Sequence, residues 1–141
     1  ERAFCHYMNK AFDKSSEDLD SVLLTNSFYP AAHNLQGVIL MEAGKYDGAL
    51  YHFTQALSQR KGYQEACFNK YLAYRGTDNF KGALHSMEEL IEMDVSNGLY
   101  YFHRAYVKKQ LGIDSACEDV EQALTLGLKV EPAAIEELCS N

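Results

Sequence analysis

Ala49, Phe53, Ala56 and Leu57 stand at i, i+4, i+7 and i+8, one apolar stripe along a helix, with polar residues between them. Just upstream, residues 30–43 read as a second helix, opened by Pro30 at a first helical position and stopped by Gly44. The unit is therefore helix, short turn, helix. Sliding the second stripe forward until Tyr46 falls on Phe80 lays Ala49 on Ala83, Leu50 on Leu84, Phe53 on Met87, Ala56 on Leu90 and Leu57 on Ile91. Sliding it back by the same step reaches Phe12, Ser15, Leu19, Val22 and Leu23, of which only the small Ser15 is polar. Two steps forward, less one position, give Ala116, Cys117, Val120, Ala123 and Leu124, the missing residue falling in the turn LGIDSA. A period of about 34 residues, kept four times, predicts a solenoid in which neighbouring helix pairs complete each other's core.

The pattern predicts helices near 2–12, 16–25, 31–43, 47–59, 64–76, 80–93, 98–111, 114–126 and 131–139. They form one domain over 1–141, with units at about 1–29 (truncated), 30–63, 64–96 and 97–127 and a capping helix at 130–139. The last helix, EPAAIEEL, places Ile135 and Leu138 on one side and Glu136 and Glu137 on the other, as the exposed end of a solenoid requires. Small residues Gly37, Ala49, Ala83, Ala105 and Ala116 let helices approach closely, and Tyr46, Phe53, Phe80 and Met87 fill the space between units.

Composition narrows the function. In 141 residues, 47% apolar with 10 Tyr and 7 Phe, there is enough apolar side chain for a real core. The formal charge of -7 argues against nucleic acid as the main partner, since phosphate binding needs a basic face. That charge is unevenly spread: within residues 114–141, Asp114, Glu118, Asp119, Glu121, Glu131, Glu136 and Glu137 face only Lys129, while residues 98–111 hold Arg104, Lys108 and Lys109 and no acid. No apolar run approaches the roughly 20 residues of a membrane-spanning helix, so membrane insertion is not expected. Glu1 is not an initiator methionine, which leaves room for an upstream signal or domain and leaves the compartment, cytoplasmic or exported, open. Cys5, Cys67, Cys117 and Cys139 form no zinc-like spacing. One reading makes them small buried residues; the other pairs Cys117 with Cys139 in an oxidising compartment.

The hairpin unit with Gly37, Gly44, Tyr46, Ala49, Phe53 and Ala56 resembles the tetratricopeptide repeat, and the likeness covers residues 1 to about 127. The large residue usual early in the first helix is His33, Cys67 and Tyr101 here, and the glycine column reads Ala3, Gly37, Tyr71 and Ala105. The last unit, with Arg104 before Ala105 and Ala116-Cys117-Glu118-Asp119 opening its second helix, is similar to repeats of bacterial multi-repeat proteins. The resemblance implies an all-α, right-handed superhelical solenoid of antiparallel helix pairs with a C-terminal capping helix. It also implies a concave groove lined by first helices that holds a peptide. The inward positions would be Asn34, Val38 and Met41, then Phe68, Asn69, Leu72 and Arg75, then Phe102, His103, Tyr106 and Lys109. Aromatic anchors, amides and cations suit a protein or peptide ligand, although Phe68, Phe102 and Tyr106 serve equally well as inter-repeat core. Members that capture the acidic end of heat-shock chaperones use a two-carboxylate clamp; the corresponding places here carry Asn34, Val38, Asn69, Leu99 and His103, and only Asn69 matches.

Catalysis has little support. His6, His33, His52, His85 and His103 fall in different units, without a paired-histidine metal motif or a nucleophile turn, so no enzyme activity, metal or cofactor is expected. His85 with Glu88 or Glu89, and Glu136-Glu137, read as solvated faces. The expected function is a non-catalytic protein-interaction scaffold. The alternative is a structural or assembly role, either docking within a longer repeat protein or self-association through the truncated first unit, exposing Phe4, Tyr7 and Met8.

Overall fold

The structure, a computed structural model, describes residues 2–140, with side chains described at residue 11 and from 13 to 140. Phe4, Cys5, Tyr7 and Met8, invoked for self-association or as a core thiol, lie outside the described side chains. The described residues form eight helices and no strand: α1 (Arg2–Thr25), α2 (Pro30–Glu42), α3 (Tyr46–Gln59), α4 (Gln64–Gly76), α5 (Phe80–Met93), α6 (Gly98–Gln110), α7 (Ala116–Thr125) and α8 (Pro132–Cys139). The fold class is all-α. No helix among the described residues is long and apolar enough to cross a membrane.

The turns explain the boundaries. Gly44, Asp78 and Gly112, each one repeat from the next, all adopt the left-handed conformation, with φ of 73°, 54° and 67°. Each closes its helix by the same pair of bonds: Gly44 N–H donates to Met41 O and Lys45 N–H to Leu40 O, and the same pattern joins Asp78 and Asn79 to Arg75 and Tyr74, and Gly112 and Ile113 to Lys109 and Lys108. At starts, Pro30 opens α2 without needing an N–H partner, and the side chains of Asn79 and Asn97 accept from the Gly82 and Leu99 amides.

One expected break is absent. The helices predicted at 2–12 and 16–25 are a single 24-residue helix, α1. The position one repeat before Gly44 is Lys10, which, unlike glycine, is strained in the left-handed conformation, and Asp13-Lys14-Ser15-Ser16 supplies neither glycine nor proline. The helix therefore runs on.

The chain divides into two compact units, Glu1–Asn69 and Lys70–Asn141, the boundary falling within α4. In the first, α2 packs on α1 and α3. A Cβ on Gly37 would lie 2.5 Å from Phe53 Cε1, so the wholly buried Phe53 ring rests on bare backbone, with Ala49 and Ala56 buried beside it on α3. In the second, α6 packs on α5 and α7, and α8 packs on both α7 and α6. Ala105, Val120 and Leu138 form one buried cluster there, with Phe102, Tyr106, Ile135 and Cys139 packed against it.

Candidate functional site

Of the expected ligand-facing residues, the first unit holds Asn34, Val38, Phe68 and Asn69. Asn34 is buried on α2 and its amide is already engaged: it donates to Glu65 Oε1 at 3.0 Å and accepts from Asn69 Nδ2 at 3.0 Å. These bonds tie α2 to α4. Val38 and Phe68 are half-buried. His33 Nε2 donates to the Ser27 carbonyl at 3.2 Å, and its Nδ1 shares a hydrogen bond with His52 Nδ1 at 3.0 Å. Burial is the main cause that lowers the His52 pKa, helped by His33 and opposed by Asp20.

The second unit brings Arg75, His103 and Tyr106 together around Tyr71, with Leu72 and Phe102 half-buried on the same helices. Arg75 Nη1 donates to the Tyr71 hydroxyl oxygen at 3.3 Å, and that hydroxyl shares a hydrogen bond with His103 Nδ1 at 3.1 Å. The Arg75 guanidinium carbon stands 4.7 Å from the Tyr106 ring centre and 5.6 Å from that of Tyr71, cation–π range for both. Burial, reinforced by the Arg75 charge, holds the His103 pKa down to about 4, so the imidazole is neutral near pH 7. Burial likewise raises the Tyr71 pKa against the pull of Arg75. Arg75 itself has no carboxylate partner among the described residues.

Three other cations of this unit, Arg104, Lys108 and Lys109, are committed. Arg104 grips Asp119 with two bonds, Nε to Oδ2 at 2.8 Å and Nη2 to Oδ1 at 2.6 Å, and Lys108 Nζ reaches the same carboxylate at 2.9 Å. That grip raises the Arg104 pKa further. Sequence reasoning notes Arg104 and Asp119 as features of the last repeat but counts Asp119 with the acidic tail. Their placement on the two arms of one helical hairpin is the available signal of a pair. Lys109 Nζ donates to the Ser140 carbonyl. Near it, Lys109, Ile113, Cys117, Leu138 and Cys139 line a cavity of about 250 Å³. The Cys117 and Cys139 sulfurs are bonded, at 2.02 Å. No group of three His, Cys, Asp or Glu side chains among the described residues could hold a metal ion.

With this geometry in place, the chain falls in the class of all-helical repeat proteins. The model of the tetratricopeptide repeat matches residues 30–63. Among solved structures, that of the MamA protein covers 89% of this chain and 74% of its own, at 17% identity and a TM-score of 0.77. A MamA structure from Desulfovibrio magneticus RS-1 covers 85% of this chain and 68% of its own, at 17% identity and a TM-score of 0.73. The first tetratricopeptide-repeat domain of Spaghetti (RPAP3), bound to the HSP90 peptide SRMEEVD, covers 77% of this chain and 86% of its own, at 22% identity and a TM-score of 0.66. A sequence comparison with curated proteins found no match. Residues 30–63 thus match the tetratricopeptide repeat, and the chain has the fold of these all-helical repeat structures.

Proposed function

We propose that this chain is a non-catalytic protein-interaction module, and that its second unit holds an acidic peptide segment on the first-helix face around Arg75. The observation that carries this is the contrast among cations. Arg104 and Lys108 direct their charge to Asp119, whereas Arg75 is held between two tyrosine rings with no acid beside it among the described residues. A guanidinium so placed offers its remaining donors to a carboxylate, and Tyr106 and Phe102 offer flat apolar surface next to it. That a fold neighbour is solved with the acidic peptide SRMEEVD supports the ligand class. The chaperone clamp itself is not proposed: Asn34, at one clamp place, already donates to Glu65 and accepts from Asn69. The repeat boundaries at 30–63, 64–96 and 97–127 belong to the same proposal.

The test is fluorescence anisotropy with labelled Glu- and Asp-rich peptides and their Gln and Asn counterparts. Arg75→Gln is expected to weaken acidic peptides about tenfold and leave neutral ones alone, with helical circular dichroism and melting unchanged. Equal binding by both proteins would remove Arg75 from the site.

A further inference from the structure

The last helix is held by little besides a covalent bond. At eight residues α8 is well below the roughly 12–15 at which even strong helix formers persist alone in water. It buries one side chain, Leu138, against Ala105 of α6 and Val120 of α7, with Ile135 and Cys139 packed partly on the same cluster. Beyond these it has the bond from Lys109 to the Ser140 carbonyl. Glu131, Glu136 and Glu137 make no ion pair with any described residue, and all three are exposed. The helix follows a non-helical lead at 128–131, tied to α7 at Leu128, whose N–H donates to the Ala123 carbonyl, so that any hinge lies at 129–131 beyond the end of α7. The Cys117–Cys139 bond pins its far end to the first turn of α7, joining positions 22 apart in the chain.

We propose that α8 is a redox-latched flap: it stays docked on α6 and α7 while Cys117 and Cys139 are bonded, and a dithiol reductant releases it. The chemistry needs only that co-reactant. One thiolate of the dithiol attacks a sulfur of the pair, forming a mixed disulfide and expelling the other cysteine as thiolate, which takes up a proton. The second thiol then displaces the first cysteine, so the dithiol leaves oxidised by two electrons and Cys117 and Cys139 carry two thiols. Access is provided by the cavity, whose walls include both cysteines, and the Lys109 ammonium on its rim favours an incoming thiolate. Release uncovers Ala105 and Val120 and loosens Phe102 and Tyr106. Since Tyr106 lies under Arg75, reduction would also disorganise the peptide site; that last consequence rests on the function proposed above, whereas the latch does not.

Hydrogen exchange read by mass spectrometry on the whole chain tests the latch, comparing the oxidised protein, the same protein in dithiothreitol, and the double variant Cys117→Ser, Cys139→Ser. Amides of 134–140 should exchange at least tenfold faster after reduction, and in the variant without reductant, while those of 120–125 keep their protection. Reoxidation should restore the slow pattern. Unchanged exchange in α8, or equal loss across α6 and α7, would overturn the flap. So would alkylation of both cysteines in denaturant in chain prepared under oxidised glutathione. Peptide affinity is measured separately, so failure of the binding site leaves this result readable.

Discussion

The two units solve the same packing problem with different polar chemistry. In the first, the buried polar groups are two amides and an imidazole: Asn34 between Asn69 and Glu65, His33 against His52, and Gln36 donating to Ser16 and Asp20. That network is incomplete, since Gln36 Oε1 and Gln59 Oε1 are buried without a hydrogen-bond partner. In the second, a full charge sits at the hairpin: the Asp119 carboxylate is buried and answered by Arg104 and Lys108. Losing a neutral amide pair costs about 1 kcal/mol, while an uncompensated buried charge costs several times that. The helical pattern is shared, and the sensitivity to single substitutions is not.

Removing Asp119 should therefore have the largest effect. Asp119→Ala leaves Arg104 and Lys108 without their carboxylate, and a loss of about 3 kcal/mol in urea unfolding is expected, the low end for buried pairs because both cations are partly solvated. Next comes Gly37→Ala. Its Cβ would stand 2.5 to 2.9 Å from three atoms of the Phe53 ring, which has nowhere to retreat because it is wholly buried. About 2 kcal/mol of overpacking is expected, and Gly37→Ala with Phe53→Leu should recover part of it. Asn34→Ala should cost about 1.5 kcal/mol by the same measurement, leaving Asn69 and Glu65 to solvent. Equal losses for Asp119→Ala and Asn34→Ala would erase the contrast between the units.

These residues also mark how far the sequence can be read. Seven helices are legible within about two residues because glycine, proline and the apolar stripe coincide at their ends, as at Pro30, Gly44 and Gly112. The first is wrongly divided because periodicity alone, carried back one repeat, puts a turn where no residue favours one. Periodicity names a face of a helix but not the partner on it. Asn34 and Asn69 stand out as amides, yet only packing shows that each uses the other, and Asp119 looks like any acid of the tail until Arg104 and Lys108 meet it. Arg75 is legible as an inward cation; its setting between Tyr71 and Tyr106 is not.

Acidification should weaken both units through their histidines. His103 takes up a proton only near pH 4 when folded, against about 6.5 when unfolded. Between those values the unfolded chain binds more protons, so stability is full above about pH 6.5 and falls as pH drops toward 4. His52, also lowered, acts in the same direction in the first unit. Urea midpoints from pH 7.5 to 4.5 should show this slope, shallower in His103→Gln and in His52→Gln. If either substitution leaves the slope unchanged, that histidine is not a source of it.

The smallest effect compares one backbone position across the units. Gly44 and Asp78 occupy the same left-handed turn site, at φ of 73° and 54°, but only glycine does so without crowding its own Cβ. Asp78 is exposed and its side chain holds no described partner, so its replacement removes strain and no contact. Against that gain stands the extra freedom that glycine gives the unfolded chain. The balance for Asp78→Gly is a stabilisation of about 0.5 kcal/mol, and Gly44→Asp should cost about as much, the added strain being partly offset by the freedom the unfolded chain loses. Paired urea curves decide it: if Asp78→Gly is neutral or destabilising, the Asp78 turn carries no strain to relieve, and the two turns differ in sequence without differing in energy.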